Sequence, residues 1–198
     1  WNVPLAAQRK IRRILNSEPP TRGPHLFRYY GTTPSQVERS ERLLAGKLGV
    51  KHCLAVNSGT SALIAALRAL GVGAGDEVII PAYTFFASAA AVVACNAIPI
   101  ICEVDDSLNL DPAAVRKCIS KRTKAIMPVH MRGVPAQMDE IMSLARRKGL
   151  PVVEDVAQAA GGSFKGKRLG TIGTIGCFSF DFYKVVVCGE GGYLTTDD

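Results

Sequence analysis

CLAVNSGTSALIAALRALG (53–71) decides how this chain is read. CLAV (53–56) is a short, continuous apolar run, the pattern of a strand buried on both faces. It passes through Asn57 into SGTSALIAALRALG (58–71), whose Ala- and Leu-rich body reads as a helix closed by Gly71. The alternation continues outward from there. EVIIP (77–81) is a strand, followed by a helix through Asn96. IPIICEV (98–104) is a strand and PAAVRKCI (112–119) a helix. AIMPVH (125–130) is a strand, and QMDEIMSLARRKG (137–149) a helix ended by Gly149. PVVEDV (151–156) is a strand, and CFSF (177–180) and GGYLTT (191–196) bring the count to seven. Upstream, PSQVERSERLLAGKLG (34–49) reads as a helix, with Pro34 suited to its first turn and Gly49 to its end. The first five strands are separated by helices, and none alternates apolar with polar. That predicts an α/β fold with three α/β/α layers around a mainly parallel seven-stranded sheet.

Composition agrees with a packed domain. The chain has 198 residues, 47% of them hydrophobic and 21% charged, which excludes a disordered composition. No apolar run is long enough to span a bilayer, and WNVPLAAQRKIRRIL (1–15) lacks an apolar signal core, so the expected location is cytoplasmic, with no membrane partner. None of the six cysteines falls in a C-x-x-C pair, which argues against zinc and thioredoxin chemistry. The net charge of +7 is uneven: through Lys51 ten Lys/Arg face three Asp/Glu, and beyond it the signs balance at fourteen each. Residues 1–33 therefore read as a basic arm with a Pro-rich linker, EPPTRGP (18–24), ahead of one large domain over 34–198. No aromatic-interleaved or helix-turn-helix pattern accompanies the charge, so nucleic acid is not the expected partner.

Sheets of this kind bind ligands beyond the carboxyl ends of their strands, so the polar residues there carry the functional reading. The first strand ends in NSGTSAL (57–63), where a helix N-terminus with Thr60 and Ser61 offers N–H and hydroxyl donors to an anion. Ser58 or Thr60 reads equally well as a simple N-cap. There is no G-x-G-x-x-G and no G-K-[ST], which weakens dinucleotide and P-loop readings. PAYTFFAS (81–88) places Phe85 where it stacks on a flat ring or joins the core. EDVAQ (154–158) puts two adjacent acids after a buried strand, a costly arrangement unless they are paired. Asp155 is placed to meet a cation, or else to cap the next segment; Gln158 lies one turn further on. Lys184 follows GCFSF (176–180) across three residues and precedes CGEGG (188–192). It is either a solvated loop lysine or an amine held at the end of a core strand. An anion cradle, a ring platform, a carboxylate for a cation and a lysine are together what pyridoxal 5′-phosphate (PLP) requires.

NSGTSAL, PAYTFFAS, EDVAQAAGGSFKGKRLGTIGTIGCFSF (154–180) and K-x-x-x-x-GEGG (184–192) resemble the DegT/DnrJ/EryC1/StrS family of PLP-dependent sugar aminotransferases, in order and over roughly 27–198. The resemblance implies the aspartate-aminotransferase-like fold, with 34–198 as the PLP-binding large domain. It implies that Lys184 forms the Schiff base with PLP, that Asp155 pairs with the ring nitrogen, and that Gln158 bonds the ring hydroxyl. Thr60, Ser61 and Ser179 would hold the phosphate and Phe85 would stack on the ring. The implied reaction takes an amino group from an amino acid, glutamate in the usual case, to a keto-sugar, in a homodimer. Family members continue into a smaller C-terminal domain, which this sequence is expected to lack. Arg132 stands where many members carry an aromatic, and VVV (185–187) where polar residues are common. Two alternatives stay open: a PLP-binding remnant without turnover, and a PLP-dependent sugar dehydratase, a branch in which histidine replaces the lysine.

Overall fold

The computed structural model describes Ala6, Arg9 and residues 35–198. The arm and linker expected over 1–33 lie otherwise outside the described residues. The chain divides at Arg42/Leu43 into two units, and the strands and the site below all belong to the second, Leu43–Asp198. Its elements begin with the end of α1 (Gln36–Leu48) and continue β1 (His52–Val56), α2 (Gly59–Ala69), β2 (Glu77–Pro81), α3 (Ala87–Ala94) and β3 (Ile98–Cys102). Then come α4 (Pro112–Cys118), β4 (Thr123–Ile126), α5 (Met138–Lys148), β5 (Val153–Asp155), β6 (Ser163–Phe164), β7 (Lys167–Arg168), β8 (Ile175–Ser179) and β9 (Gly192–Thr196).

Local chemistry sets these bounds. Asp111 caps α4 by accepting the Ala113 N–H at 2.8 Å, with Pro112 in the first turn where a missing N–H costs nothing. α5 carries Asp139 and Glu140 in its first turn and Arg146, Arg147 and Lys148 in its last, both favourable to the helix dipole. It ends at Gly149, whose φ of 65° is left-handed. α3 stops at Ala94, short of the expected Asn96, because Asn96 itself turns left-handed at φ 60°.

Every expected strand forms, but not as one seven-stranded ladder. One sheet has the order β1-β9-β8-β5 and a second the order β3-β2-β4. β2 runs parallel to β3 and β4, and β5 parallel to β8, while β9 is antiparallel to both β8 and β1. The sheets meet through isolated parallel bridges, Ile126–Val152 and Val129–Asp155. The break has a covalent cause. The Ile126 N–H donates to Pro151 O at 3.1 Å and the His130 N–H to Asp155 O at 3.0 Å. Between them Pro128 O accepts the Asp155 N–H at 2.9 Å, but Pro128 has no N–H to donate in return, so the ladder lacks that one bond. β6 and β7 form a separate antiparallel hairpin that the sequence pattern did not predict.

The central strands bury both faces. Val78, Ile80, Ala125, Met127 and Val153 pack with Ala62, Leu63, Ala66 and Leu67 of α2 and Ala91 and Val92 of α3. Ile79, Ile126 and Val152, pointing the other way, pack with Val115 of α4 and Met138, Ile141 and Leu144 of α5. Adjacent residues of one strand entering different clusters give the three-layer arrangement. β1, antiparallel to β9 as β8 is, runs parallel to β8. The carboxyl ends of β1, β2, β4, β5 and β8 therefore open on one edge.

Candidate active site

A cavity of about 330 Å³ lies at that edge. Six of the seven residues singled out in the sequence line it: Thr60, Phe85, Asp155, Gln158, Ser179 and Lys184. Ser61 is not among the lining residues. Its hydroxyl accepts from Ser58 Oγ at 3.0 Å and its N–H donates to the same oxygen at 3.1 Å, so Ser58 is the N-cap of α2. With that cap in place, the N–H groups of Gly59 and Thr60 still have no intrahelical acceptor, and the helix dipole is positive there. Ser179, at the end of β8, sits directly against this turn: a Cβ added to Gly59 would fall 2.6 Å from Ser179 Cβ. Only glycine lets the helix start approach the strand end so closely. The result is a small concave donor set suited to a phosphate.

Asp155, 5% exposed, ends β5 on the cavity wall. Its Oδ1 accepts the Ala157 N–H at 3.1 Å, so the cap expected as the alternative is present. Its Oδ2 accepts from Ser88 Oγ at 3.0 Å, and Ser88 lies 2.8 Å from Thr84 Oγ1. Burial pushes the Asp155 carboxyl up, opposed by the Ala157 N–H and the Ser88 hydroxyl. It makes no ion pair among the described residues. A buried acid on a cavity wall without a cation in contact is an arrangement that a bound cationic ring nitrogen would complete.

Lys184, which also makes no ion pair among the described residues, faces the same cavity with Nζ 5.6 Å from the Phe85 ring centroid. Phe85 is not core: it is 55% exposed and leans on Phe86 at 4.6 Å between centroids. Gln158 accepts the Arg132 N–H through Oε1 at 3.0 Å, leaving its amide NH₂ as the group free to donate. The other acid of the pair, Glu154, is wholly buried and serves the scaffold. Its Oε1 accepts from the N–H groups of Ile172 and Gly173, and its Oε2 from Gly170 N–H and from His130 Nε2 at 3.0 Å. His130 Nδ1 accepts the Ala136 N–H at 3.1 Å, so the ring proton sits on Nε2.

Sequence reasoning missed Ser88, although PAYTFFAS contains it, because nothing local ties a serine in α3 to an acid 67 residues away. It also missed Asp181, Tyr183 and Glu190, which line the cavity. The donor set at α2, the buried carboxyl of Asp155, the exposed ring of Phe85 and the amine of Lys184 fit PLP in charge and chemistry.

Comparison with known proteins agrees. Residues 28–198 match the model of the DegT/DnrJ/EryC1/StrS aminotransferase family. The chain is 45% identical over 170 residues to the L-glutamine:2-deoxy-scyllo-inosose aminotransferase of Streptomyces paromomycinus, covering 85% of this chain and 40% of that protein. It is 47% identical over 159 residues to the GDP-perosamine synthase of Caulobacter vibrioides, covering 80% of this chain and 43% of that protein. Among solved structures it superposes on NtdA from Bacillus subtilis with bound cofactor PMP at a TM-score of 0.79, with 33% identity, covering 96% of this chain and 42% of that one. The chain thus spans about two fifths of the length of the curated relatives it matches. PLP, in its aldehyde or amine form, is the cofactor to which these comparisons point. With the match running from Arg28 to the last residue, the chain belongs to the DegT/DnrJ/EryC1/StrS aminotransferase family.

Proposed function

We propose that the protein transfers an amino group from an amino acid to the carbonyl of a keto-sugar or a closely related cyclic polyol, using PLP. The observation that carries this reading is the placement of a lysine amine and a buried carboxyl group, with no ion pair among the described residues, on one cavity. Bound PLP supplies an aldehyde that condenses with a primary amine, and a ring that draws electrons from the attached carbon while its nitrogen is protonated.

Each residue then has a defined task. The N–H groups at the start of α2, with the hydroxyls of Thr60 and Ser179, hold the phosphate. The hydroxyl of Ser61 supports this turn through Ser58. Asp155 keeps the ring nitrogen protonated. Gln158 donates its NH₂ to the ring hydroxyl, and Phe85 covers one ring face. Lys184 is the amine that anchors the cofactor. With the cofactor bound, the same amine would be placed to take the proton from the donor's α-carbon as base and, as acid, to give it up to the cofactor carbon beside it. The same proton transfers run in reverse on the keto-sugar.

The sequence resemblance favours glutamate as donor, while the Streptomyces relative is named for L-glutamine; the two differ only at the far end of the side chain. The exposed Phe86, Tyr183 and Val185 around the cavity favour a second copy as partner. Lys184 argues for amino transfer over the dehydratase alternative.

The test is direct. Purified full-length protein should take up PLP with a visible absorption band, and borohydride should fix the cofactor to Lys184. L-glutamine or L-glutamate should bleach the band. Retention of borohydride-fixed PLP by Lys184→Ala would remove Lys184 from the assignment. A band that neither donor bleaches would favour a cofactor-binding protein without turnover.

A further inference from the structure

Beside the cavity lies a second recess of about 410 Å³, lined by Arg132, Gln158, Tyr183, Lys184 and Val185. Gln158, Tyr183 and Lys184 line both spaces, so the two adjoin. The basic groups lining this second recess are Arg132 and Lys184, and no carboxylate lines it.

Arg132 is held there deliberately by its surroundings. Its backbone is left-handed, φ 51° and ψ 29°, a conformation that costs a side-chain-bearing residue about 1 kcal/mol or more. The Arg132 N–H is fixed on Gln158 Oε1 at 3.0 Å, and Arg132 Nη2 lies 3.5 Å from Tyr83 Oη. The guanidinium makes no ion pair among the described residues. A solvated surface arginine has no need of a strained backbone tied to a cavity-lining glutamine. An arginine facing a recess that no carboxylate lines has no counter-ion there until an anion joins it.

We propose that Arg132 is the anion-recognising residue of the substrate recess, and that the anion is the α-carboxylate of the amino-acid donor. This rests on the aminotransferase reading. In that reaction the donor carbon that loses its proton to Lys184 also bears the carboxylate, so the carboxylate must lie within one bond of the atom that Lys184 serves. The planar guanidinium fork matches a carboxylate with two parallel N–H donors. A phosphate on the acceptor is the other anion available to the reaction, and it lies further from its reacting carbon.

The experiment uses the full-length protein in wild-type, Arg132→Gln and Arg132→Lys forms. Spectral titration of the PLP-loaded protein measures apparent affinity for L-glutamine and for its α-amide, which lacks the carboxylate. Calorimetry on the cofactor-free protein measures 2-oxoglutarate and inorganic pyrophosphate. The expected result is a roughly 10- to 100-fold loss of L-glutamine and 2-oxoglutarate affinity in Arg132→Gln. Partial recovery is expected in Arg132→Lys, with no change for the α-amide or for borohydride-fixed PLP. Donor affinity within twofold of wild type in Arg132→Gln overturns the proposal. A loss confined to pyrophosphate also overturns it, assigning Arg132 to the acceptor instead. If wild-type protein never loads PLP on Lys184, the aminotransferase reading fails, and the calorimetric comparison still decides whether Arg132 binds a carboxylate.

Discussion

Ser88 Oγ donates to Asp155 Oδ2 across 3.0 Å, tying the first turn of α3 to the end of β5. Ser88 is fully buried, and Thr84 Oγ1 lies 2.8 Å behind it. The hydroxyl favours the ionised carboxylate, and burial opposes it. Ser88→Ala removes one of the two side-chain and backbone donors on that carboxylate and should raise its pKa further. Cofactor affinity should then fall about tenfold near neutrality, the loss of one hydrogen bond to a charged group. The half-point of PLP binding on acidification should also move to higher pH, and Ser88→Thr should restore both. Cofactor titration by fluorescence quenching across pH checks this.

Asp155 should also destabilise the protein while no cofactor is present. Its folded-state carboxyl sits above its ordinary value of 3.8, so the native state holds the proton more tightly than the unfolded chain does. The stabilisation by that proton is complete below 3.8 and is lost as pH rises through the raised value. Asp155→Asn should therefore raise the Tm of cofactor-free protein at pH 8 by several degrees, with the gain shrinking in acid, and should abolish productive PLP binding. Glu77 is the opposite case: the Ser120 hydroxyl, then Arg122, holds its carboxyl down, and that stability disappears as pH falls below its ordinary 4.5. Thermal melts of the cofactor-free protein from pH 8 down to about pH 2 separate the two acids by the sign of their slopes.

The strands were legible because buried parallel strands are written as short apolar runs, and EVIIP, CLAV and PVVEDV need no partner to be recognised. Their joining into one ladder was not. Pro128 looks harmless inside AIMPVH until its missing N–H is seen to fall between the bonds donated by Ile126 and His130, where its carbonyl alone pairs with Asp155. The hairpin of Ser163–Phe164 and Lys167–Arg168 is two residues a side and polar, too short for any period to show. The site divides the same way. Asp155 is found from its place at a strand end, whereas Ser179 enters only through the family resemblance. Ser61 stands apart from the other candidates: of the two caps the sequence allowed, Ser58 and Thr60, the geometry selects Ser58, which accepts the Ser61 N–H.

Glu154 shows what the neighbour of a site acid does when it is not in the site. One carboxylate accepts from Gly170, Ile172, Gly173 and His130, clamping the loop before β8 against β5. Glu154→Gln keeps the shape but replaces one acceptor oxygen by an NH₂ that faces donors. Two buried donors lose their partner, at a cost of about 3 kcal/mol. Urea unfolding should show the midpoint falling by that equivalent. Release of the loop should deprotect the amides of Gly170, Ile172 and Gly173 to hydrogen exchange before the rest of β8.

Gly59 and Gly46 should respond in opposite directions to the same added methyl. At Gly46 a Cβ meets nothing within 4 Å, and the residue lies inside α1, so Gly46→Ala should stabilise by about 0.5–1 kcal/mol through helix propensity. At Gly59 the Cβ would sit 2.6 Å from Ser179 Cβ and 3.1 Å from Ser179 Cα, and backbone cannot rotate away as a side-chain tip can. Either α2 or the end of β8 must retreat, costing about 1–3 kcal/mol. That retreat opens the gap between the helix N–H groups and the Ser179 hydroxyl, the two halves of the proposed phosphate cradle. Gly59→Ala should therefore lower the affinity for PLP much more than for pyridoxal, which has no phosphate. Equal losses for the two ligands would show that the cradle is not where the phosphate binds.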